Sequence, residues 1–311
     1  MRLISFVIPC YRSQDTIKNV LDDIYMVMSS HSTDDYEIVL VNDCSPDNTL
    51  SILKNIVEET HRVTVIDMAK NFGQHAAIMA GLRETHGDVV VCLDDDGQTP
   101  PSEVYNLIDK LTDFDVCYAS YEDKKHSYFR NFGSKVNSKM LEIMLDKPRS
   151  LYISSYFAMK RYVVNEVVRY TNPYPYMMGL VLRATNSITS VPVNHKSRTS
   201  GSSGYSISKL LALWINGFTA FSVKPLRIAS LMGIVSAIMG IIVSLWAVYN
   251  KLTNPLAPLG WTMNIIIMLL LGGMILFVLG MLGEYVGRIY ICMNNSPQYV
   301  IRAKYTNNEE L

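Results

Sequence analysis

The sequence predicts an α/β domain built on a mostly parallel sheet, followed by two C-terminal transmembrane helices. Three observations carry this. Strand-like and helix-like stretches alternate through the first 120 residues, the pattern of βαβ units. One strand-like run, Val89–Leu93, drives straight into Asp94, Asp95 and Asp96, and ligand sites of open α/β sheets lie at the carboxyl ends of strands. Two later stretches, Ile228–Tyr249 and Asn264–Leu282, contain no charged residue, and each has about the 20 residues that span a bilayer.

Leu3–Ile8 is apolar, ends at Pro9 and predicts the first strand, since Met1–Pro9 is too short for the apolar region of a signal peptide. Thr16–Met28 carries Ile17, Val20, Leu21, Ile24, Val27 and Met28 at helical spacing. Glu37–Val41 predicts a strand ending in Asn42-Asp43-Cys44-Ser45-Pro46-Asp47-Asn48-Thr49, a turn and cap that open a helix over Leu50–Glu59. Val63–Asp67 is a third strand. Gln74–Thr85 is a helix with Gly87 just past its end. Val89–Leu93 is the fourth strand, and Pro101–Leu111 a capped helix. Lys135–Leu145 and Ser206–Phe221 are further helices; the second, rich in Leu210, Leu211, Trp214, Ile215, Phe218 and Phe221, is expected in the membrane interface.

The 311 residues carry a formal net charge of zero, so no charge imbalance points to a nucleic-acid partner. Five scattered cysteines with no CxxC pair argue against a zinc site or a disulfide framework and fit a reducing compartment. Lys224 and Arg227 precede the first apolar span, Arg288, Arg302 and Lys304 follow the second, and the loop between holds only Lys251. The positive-inside rule then puts both outer flanks and the N-terminal domain in the cytoplasm of a multi-pass inner-membrane protein. Gly272, Gly273, Gly280 and Gly283 permit close helix contact and a homo-oligomer.

Three packed carboxylates at a strand end repel one another unless a cation is present. Oxygen ligands suit Mg2+ or Mn2+, and Mg2+ is usually held by one or two carboxylates together with substrate phosphates. An acidic, solvated turn after a core strand is the plainer alternative. No GxGxxG, no P-loop, no G-x-S-x-G elbow and no HExxH or HxxxH pair occurs, which leaves an aspartate-based metal site as the surviving chemistry.

Val7-Ile8-Pro9-Cys10-Tyr11, the 42–49 turn, Asn71-Phe72-Gly73-Gln74-His75-Ala76-Ala77 and Asp94-Asp95-Asp96-Gly97-Gln98-Thr99-Pro100-Pro101 stand in that order. Later come Arg198-x-x-Gly201-x-Ser203-x-Tyr205, Lys224-Pro225-Leu226-Arg227, Gly283-Glu284-Tyr285-Val286-Gly287-Arg288 and Pro297-x-Tyr299. Together they resemble glycosyltransferase family 2, in the polyisoprenyl-phosphate branch that includes dolichyl-phosphate mannose synthase and bacterial enzymes acting on undecaprenyl phosphate. The resemblance implies a GT-A fold and transfer, with inversion, from a nucleotide-sugar to undecaprenyl phosphate at a lipid bilayer. A UDP-sugar is expected, with glucose first and an N-acetylhexosamine or formylated aminoarabinose as alternatives.

Residue by residue, the resemblance makes Asp94 and Asp96 the DxD pair, Asp94, Asp96 and Gln98 the ligands of Mg2+ or Mn2+, and Arg130 and Arg198 catalytic. It gives Pro9, Tyr11, Asp43, Lys70, Gln74 and Asp95 to the nucleotide-sugar and Ser134, with Arg130, to the lipid phosphate. The family usually reads Asp-Ala-Asp-Leu-Gln where this chain reads Asp94-Asp95-Asp96-Gly97-Gln98, and Lys70 and Tyr121 replace arginines. Ser154-Ser155-Tyr156-Phe157 replaces a Gly-Ser-Phe-Arg-like segment. These departures bear on the sugar more than on the reaction. A processive polysaccharide synthase is disfavoured because no Arg-Trp pair occurs and two spans cannot enclose a pore; an inactive scaffold is disfavoured by the intact acids. The expected organisation is a catalytic domain over 1–205, an interface helix and linker over 206–227, spans over 228–250 and 263–283 with an external loop over 251–262, and a cytoplasmic tail over 284–311.

Overall fold

The computed structural model describes residues 1–121, 142, 147–148, 151–194, 223–253 and 261–307. The chain divides into two compact units, Met1–Ile207 with Asn295–Leu311, and Ser208–Asn294.

In the first unit, β1 (Leu3–Cys10) is apolar along nearly its whole length and buried from Ile4 onward, as a strand covered on both faces must be. It leads into α1 (Ile17–Ser30), which buries Ile17, Val20, Leu21, Ile24 and Met28 along one stripe. Then come β2 (Asp35–Asn42), α2 (Thr49–Glu59), β3 (Val63–Met68), α3 (Gln74–Arg83) and β4 (Val89–Cys92). β1 pairs in parallel with β2 and with β4, and β2 with β3. These elements lie within two residues of the bounds that periodicity predicts. The predicted helix Pro101–Leu111 is broken into a 3₁₀ turn, a short α4 (Val104–Ile108) and a second 3₁₀ turn over Asp109–Thr112. Proline opens the first turn, and the Thr112 hydroxyl donates to the Asp109 carbonyl at 2.6 Å, a local bond that competes with the α-helical pattern.

The sequence reading assigned no element to the four remaining strands or to two helices of this unit. They are β5 (Val116–Ser120), β6 (Phe157–Lys160), α5 (Arg161–Val168), α6 (Met177–Ala184), β7 (Ile188–Pro192) and β8 (Ile301–Thr306). Among the described residues the sheet order is β7-β5-β6-β4-β1-β2-β3-β8. β6 is antiparallel to both β4 and β5, β7 is parallel to β5, and β8 closes the far edge antiparallel to β3. Residues 284–311, expected as a tail, therefore include a strand of the main sheet. The β3–β8 register shifts between Asp67 and Met68, opposite Ala303 and Ile301, so that Arg302 is the bulged residue.

The second unit contains α7 (Lys224–Thr253) and α8 (Trp261–Met293). Both are long and apolar enough to cross a membrane by length and composition, and almost none of their apolar surface is buried within the chain. The Ser236 hydroxyl reaches the Met274 sulfur at 2.9 Å and ties one helix to the other. α8 continues through 284–293, beyond the expected end of the span at 283, with Arg288 paired to Glu284 one turn earlier at 3.2 Å. The predicted helices Lys135–Leu145, Glu142 apart, and Ser206–Phe221 lie outside the described residues.

Candidate active site

β1 has β2 on one side and β4 on the other, so the connections that leave the carboxyl ends of β1 and β4 run in opposite directions, toward β2 and toward β5. That is the switch point at which open α/β sheets bind ligands. β4 runs through Leu93 into the three acids, and β1 runs into Tyr11.

The three carboxylates do different things. Asp94 is gripped on both oxygens: Gln74 Nε2, at the start of α3, donates to Oδ1 at 2.8 Å, and the Ser155 hydroxyl donates to Oδ2. The Thr99 hydroxyl bridges the Asp94 amide at 3.3 Å and carbonyl at 3.4 Å. Burial, joined by the charges of Asp96 and Asp95, pushes the Asp94 carboxyl up to about 6 against those hydrogen bonds. Asp95 folds back onto the end of β1, where Oδ2 accepts the Tyr11 amide at 3.1 Å and the Ser13 hydroxyl; burial raises its pKa as well. Asp96 Oδ1 accepts the Gln98 amide at 3.1 Å across Gly97, whose φ of +71° is one that a side chain resists. Asp96 and Gln98 thus ride on one tight turn.

Among the described residues, no three His, Cys, Asp or Glu side chains converge as a ready-made metal site. The donor set nevertheless fits a divalent cation shared with a ligand. Asp94, Asp96 and Gln98 offer hard oxygen donors, and a cation would offset both the burial that chiefly raises Asp94 and the repulsion from its neighbours.

Of the other expected residues, Pro9 is buried within β1 opposite Val41, and Tyr11 is 44% exposed beyond it. The Asp43 carboxylate is turned inward. It accepts the Phe72 amide at 2.7 Å and the Gly73 amide at 2.9 Å, and burial outweighs these bonds to raise its pKa. Asn71 Nδ2 donates to the Asp43 carbonyl at 3.3 Å, so Asp43 staples the turn after β2 to the loop after β3. Lys70 is exposed, its ammonium 4.8 Å from the Phe72 ring centre. The structure thus brings Gln74 and the three acids together, with Tyr11 and Ser13 bound to the same cluster. Arg130, Ser134 and Arg198 lie outside the described residues.

Sequence reasoning gave no role to Ser13, Ser155 or Asp67. Ser155 sits 61 positions from its partner, a separation that no spacing rule bridges. Asp67, 1% exposed, accepts Asn42 Nδ2 at 2.7 Å. An acid inside the apolar run Val63–Met68 was its signal, since buried carboxylates require partners.

Comparison with known proteins agrees with this architecture. Residues 5–168 match Glycosyl transferase family 2, and residues 224–289 match the GtrB C-terminal hairpin. An uncharacterized glycosyltransferase of Bacillus subtilis, YkcC, is 32% identical over 97% of this chain and 94% of its own length. The undecaprenyl-phosphate 4-deoxy-4-formamido-L-arabinose transferase of Edwardsiella ictaluri is 30% identical over 100% of this chain and 98% of its own length. Among solved structures, the glucosyl-3-phosphoglycerate synthase of Mycobacterium tuberculosis, in complex with Mn2+, UDP and phosphoglyceric acid, superposes with a TM-score of 0.52 at 19% identity. That match covers 68% of this chain and 74% of the synthase and shows the shared GT-A-like fold. With one motif set spread over more than half its length and relatives aligned from end to end, this chain is a glycosyltransferase and belongs to glycosyl transferase family 2.

Proposed function

We propose that the protein moves a sugar from a nucleotide-sugar to undecaprenyl phosphate, with inversion, at the cytoplasmic face of the inner membrane. A UDP-sugar is the proposed donor, with glucose first. The observation that carries this reading is the acidic turn from Asp94 to Gln98 at the β1/β4 switch point, in a chain that also bears two helices fit to cross a bilayer. The Edwardsiella relative, whose name specifies undecaprenyl phosphate, supports the acceptor. Its sugar makes 4-deoxy-4-formamido-L-arabinose the second reading for the donor.

The acceptor simplifies the chemistry. A phosphate monoester carries about −1.5 to −2 charge at pH 7, so its oxygen is already a nucleophile and needs no strong general base. That oxygen attacks the anomeric carbon, the bond to the nucleoside diphosphate breaks on the opposite face, and the leaving diphosphate takes up negative charge. A divalent cation, when bound, supplies Lewis-acid stabilisation of that charge, and Asp94, Asp96 and Gln98 would hold it. Gln74 and Ser155 fix the orientation of Asp94 from two sides. Asp95 fixes the end of β1 through Tyr11 and Ser13. Arg130 and Ser134 are the proposed acceptor-phosphate donors, a pairing that charge-assisted hydrogen bonds favour, and Arg198 is proposed to close on the diphosphate.

Connectivity supports the topology. β1–β7 precede the hairpin, β8 follows it, and β8 pairs with β3; two flanks joined in one sheet lie on one side of any bilayer that the hairpin crosses. The test is a donor screen on the purified full-length protein with undecaprenyl phosphate and Mg2+ or Mn2+, read by mass spectrometry of the lipid. A sugar monophosphate lipid is expected. Donor turnover without lipid product, or a growing polymer, would overturn the reading.

A further inference from the structure

Arg302 is the bulged residue of β8, and bulges re-aim side chains beside functional sites. Its guanidinium donates from Nη1 to Asp67 Oδ2 at 3.2 Å and from Nη2 to the Ala69 carbonyl at 2.8 Å, and Nη2 stands 3.8 Å from Cys44 Sγ. Asp67 is the buried member of this ion pair: its side chain is 1% exposed and that of Arg302 53%. The other Asp67 oxygen accepts Asn42 Nδ2, and Asn42 Oδ1 accepts the Ser45 amide at 3.2 Å. One side chain from a strand that follows the hairpin thus reaches both segments that Asp43 staples together, the turn after β2 and the loop after β3. The strand is itself well seated. The Val300 carbonyl accepts the Ala69 amide at 2.8 Å, Lys304 pairs with Glu84, and Lys54 lies 4.5 Å from the centre of the Tyr305 ring.

We propose that Arg302 is a positioning residue for the donor nucleotide, clamping the 42–45 turn and the 69–73 loop from behind through Asp67 and Asn42. This rests on the proposed donor function and on the family resemblance that gives Asp43 and Lys70, one in each segment, to the nucleotide-sugar. Arg302 touches no reacting atom. A planar guanidinium serves a carboxylate and a carbonyl at once, which a single ammonium cannot do in the same geometry. Removing it leaves the Asn42 amide as the buried Asp67 carboxylate's side-chain partner among the described residues, and an under-partnered buried charge reorganises its surroundings.

The experiment compares wild type, Arg302→Ala and Arg302→Lys as full-length protein in detergent. UDP binding with Mn2+ is measured by calorimetry, KM is measured separately for UDP-glucose and undecaprenyl phosphate, and amide hydrogen exchange is followed without ligand. Arg302→Ala should raise the UDP Kd and the donor KM about tenfold, the scale of losing one charge-assisted bond, and leave the acceptor KM unchanged. Exchange should quicken in peptides covering 42–48 and 69–74 and stay unchanged in β1 and β4. Arg302→Lys should recover part of the donor affinity. A fall in melting temperature with both KM values and the exchange unchanged overturns the proposal, as does an equal loss for donor and acceptor. If Arg302→Ala yields no folded protein, Arg302→Gln carries the same comparison. Wild-type protein that binds no uridine nucleotide, though folded, refutes the donor reading, and the exchange data then decide on their own whether Arg302 holds the two segments.

Discussion

Asp94 is oriented before any substrate arrives, because Gln74 and Ser155 occupy one oxygen each. Asp96 rides on the Gly97 turn, where its carboxylate is proposed to meet the incoming cation. Asp96→Asn should therefore lower transfer at least about 10²-fold, the effect of removing one electrostatic stabiliser, and wild-type activity that survives EDTA would contradict the assignment. His75, next to Gln74, makes a different prediction. Its ring meets the Tyr176 ring edge-on with centres 5.4 Å apart, Nδ1 is buried without a hydrogen-bond partner among the described residues, and burial lowers its pKa from 6.5 to about 4. Between those values the unfolded chain binds a proton that the native state refuses, so stability falls as the pH drops from about 6.5 to about 4, by at most about 3 kcal/mol. His75→Phe keeps an aromatic ring against Tyr176 and should flatten that slope in thermal melts recorded across the range. A slope equal to that of wild type would show that His75 is not its source.

Element by element, legibility in the sequence followed length and pattern. β1–β4 and α1–α3 were readable because long apolar runs alternate with amphipathic ones. β5, β6 and β7 are four or five residues each, as short as β4 but without its unbroken valine run, so periodicity cannot tell them from buried loop. β8, Ile-Arg-Ala-Lys-Tyr-Thr, reads as a polar tail because it lies at the sheet edge, where charges are tolerated and deter further pairing. The acids of the site were legible as a motif, but their supports were not: Ser13 and Ser155 act only across the fold. The loop that opens α3 illustrates local demands. Gly73 has a φ of +89° and open space where a Cβ would go, and its amide binds Asp43. Gly73→Ala should then cost about 1–3 kcal/mol through the backbone alone, since φ +89° with ψ 160° is a region essentially reserved for glycine, seen as a lower melting temperature with donor KM raised more than acceptor KM. A variant as stable as wild type would mean that the loop relaxes without penalty.

For the whole molecule, the proposed topology puts residues 251–261 on the far side of the membrane from the acids. A cysteine introduced there in an otherwise cysteine-free, active variant should react with an impermeant thiol reagent in intact cells whose outer barrier has been opened. Labelling only after lysis would reverse the orientation. The pairing of β8 with β3 also imposes an order of events on biosynthesis. Chains emerge at about 5–20 residues per second and domains tend to fold as they emerge, yet β8 leaves the ribosome after both apolar helices. Until it arrives, β3 presents a row of unpaired backbone groups, and Asp67 lacks the guanidinium that neutralises it. In the proposed topology the turn after β2 is completed only when the hairpin has crossed and returned, so nucleotide binding is expected to report on correct insertion. Deleting residues 295–311 should leave a protein that inserts but aggregates and binds UDP poorly, and a single-crossing variant, in which β8 is stranded across the bilayer, should behave alike. On that proposal, the protein would withhold its own activation until it is in the membrane the right way round.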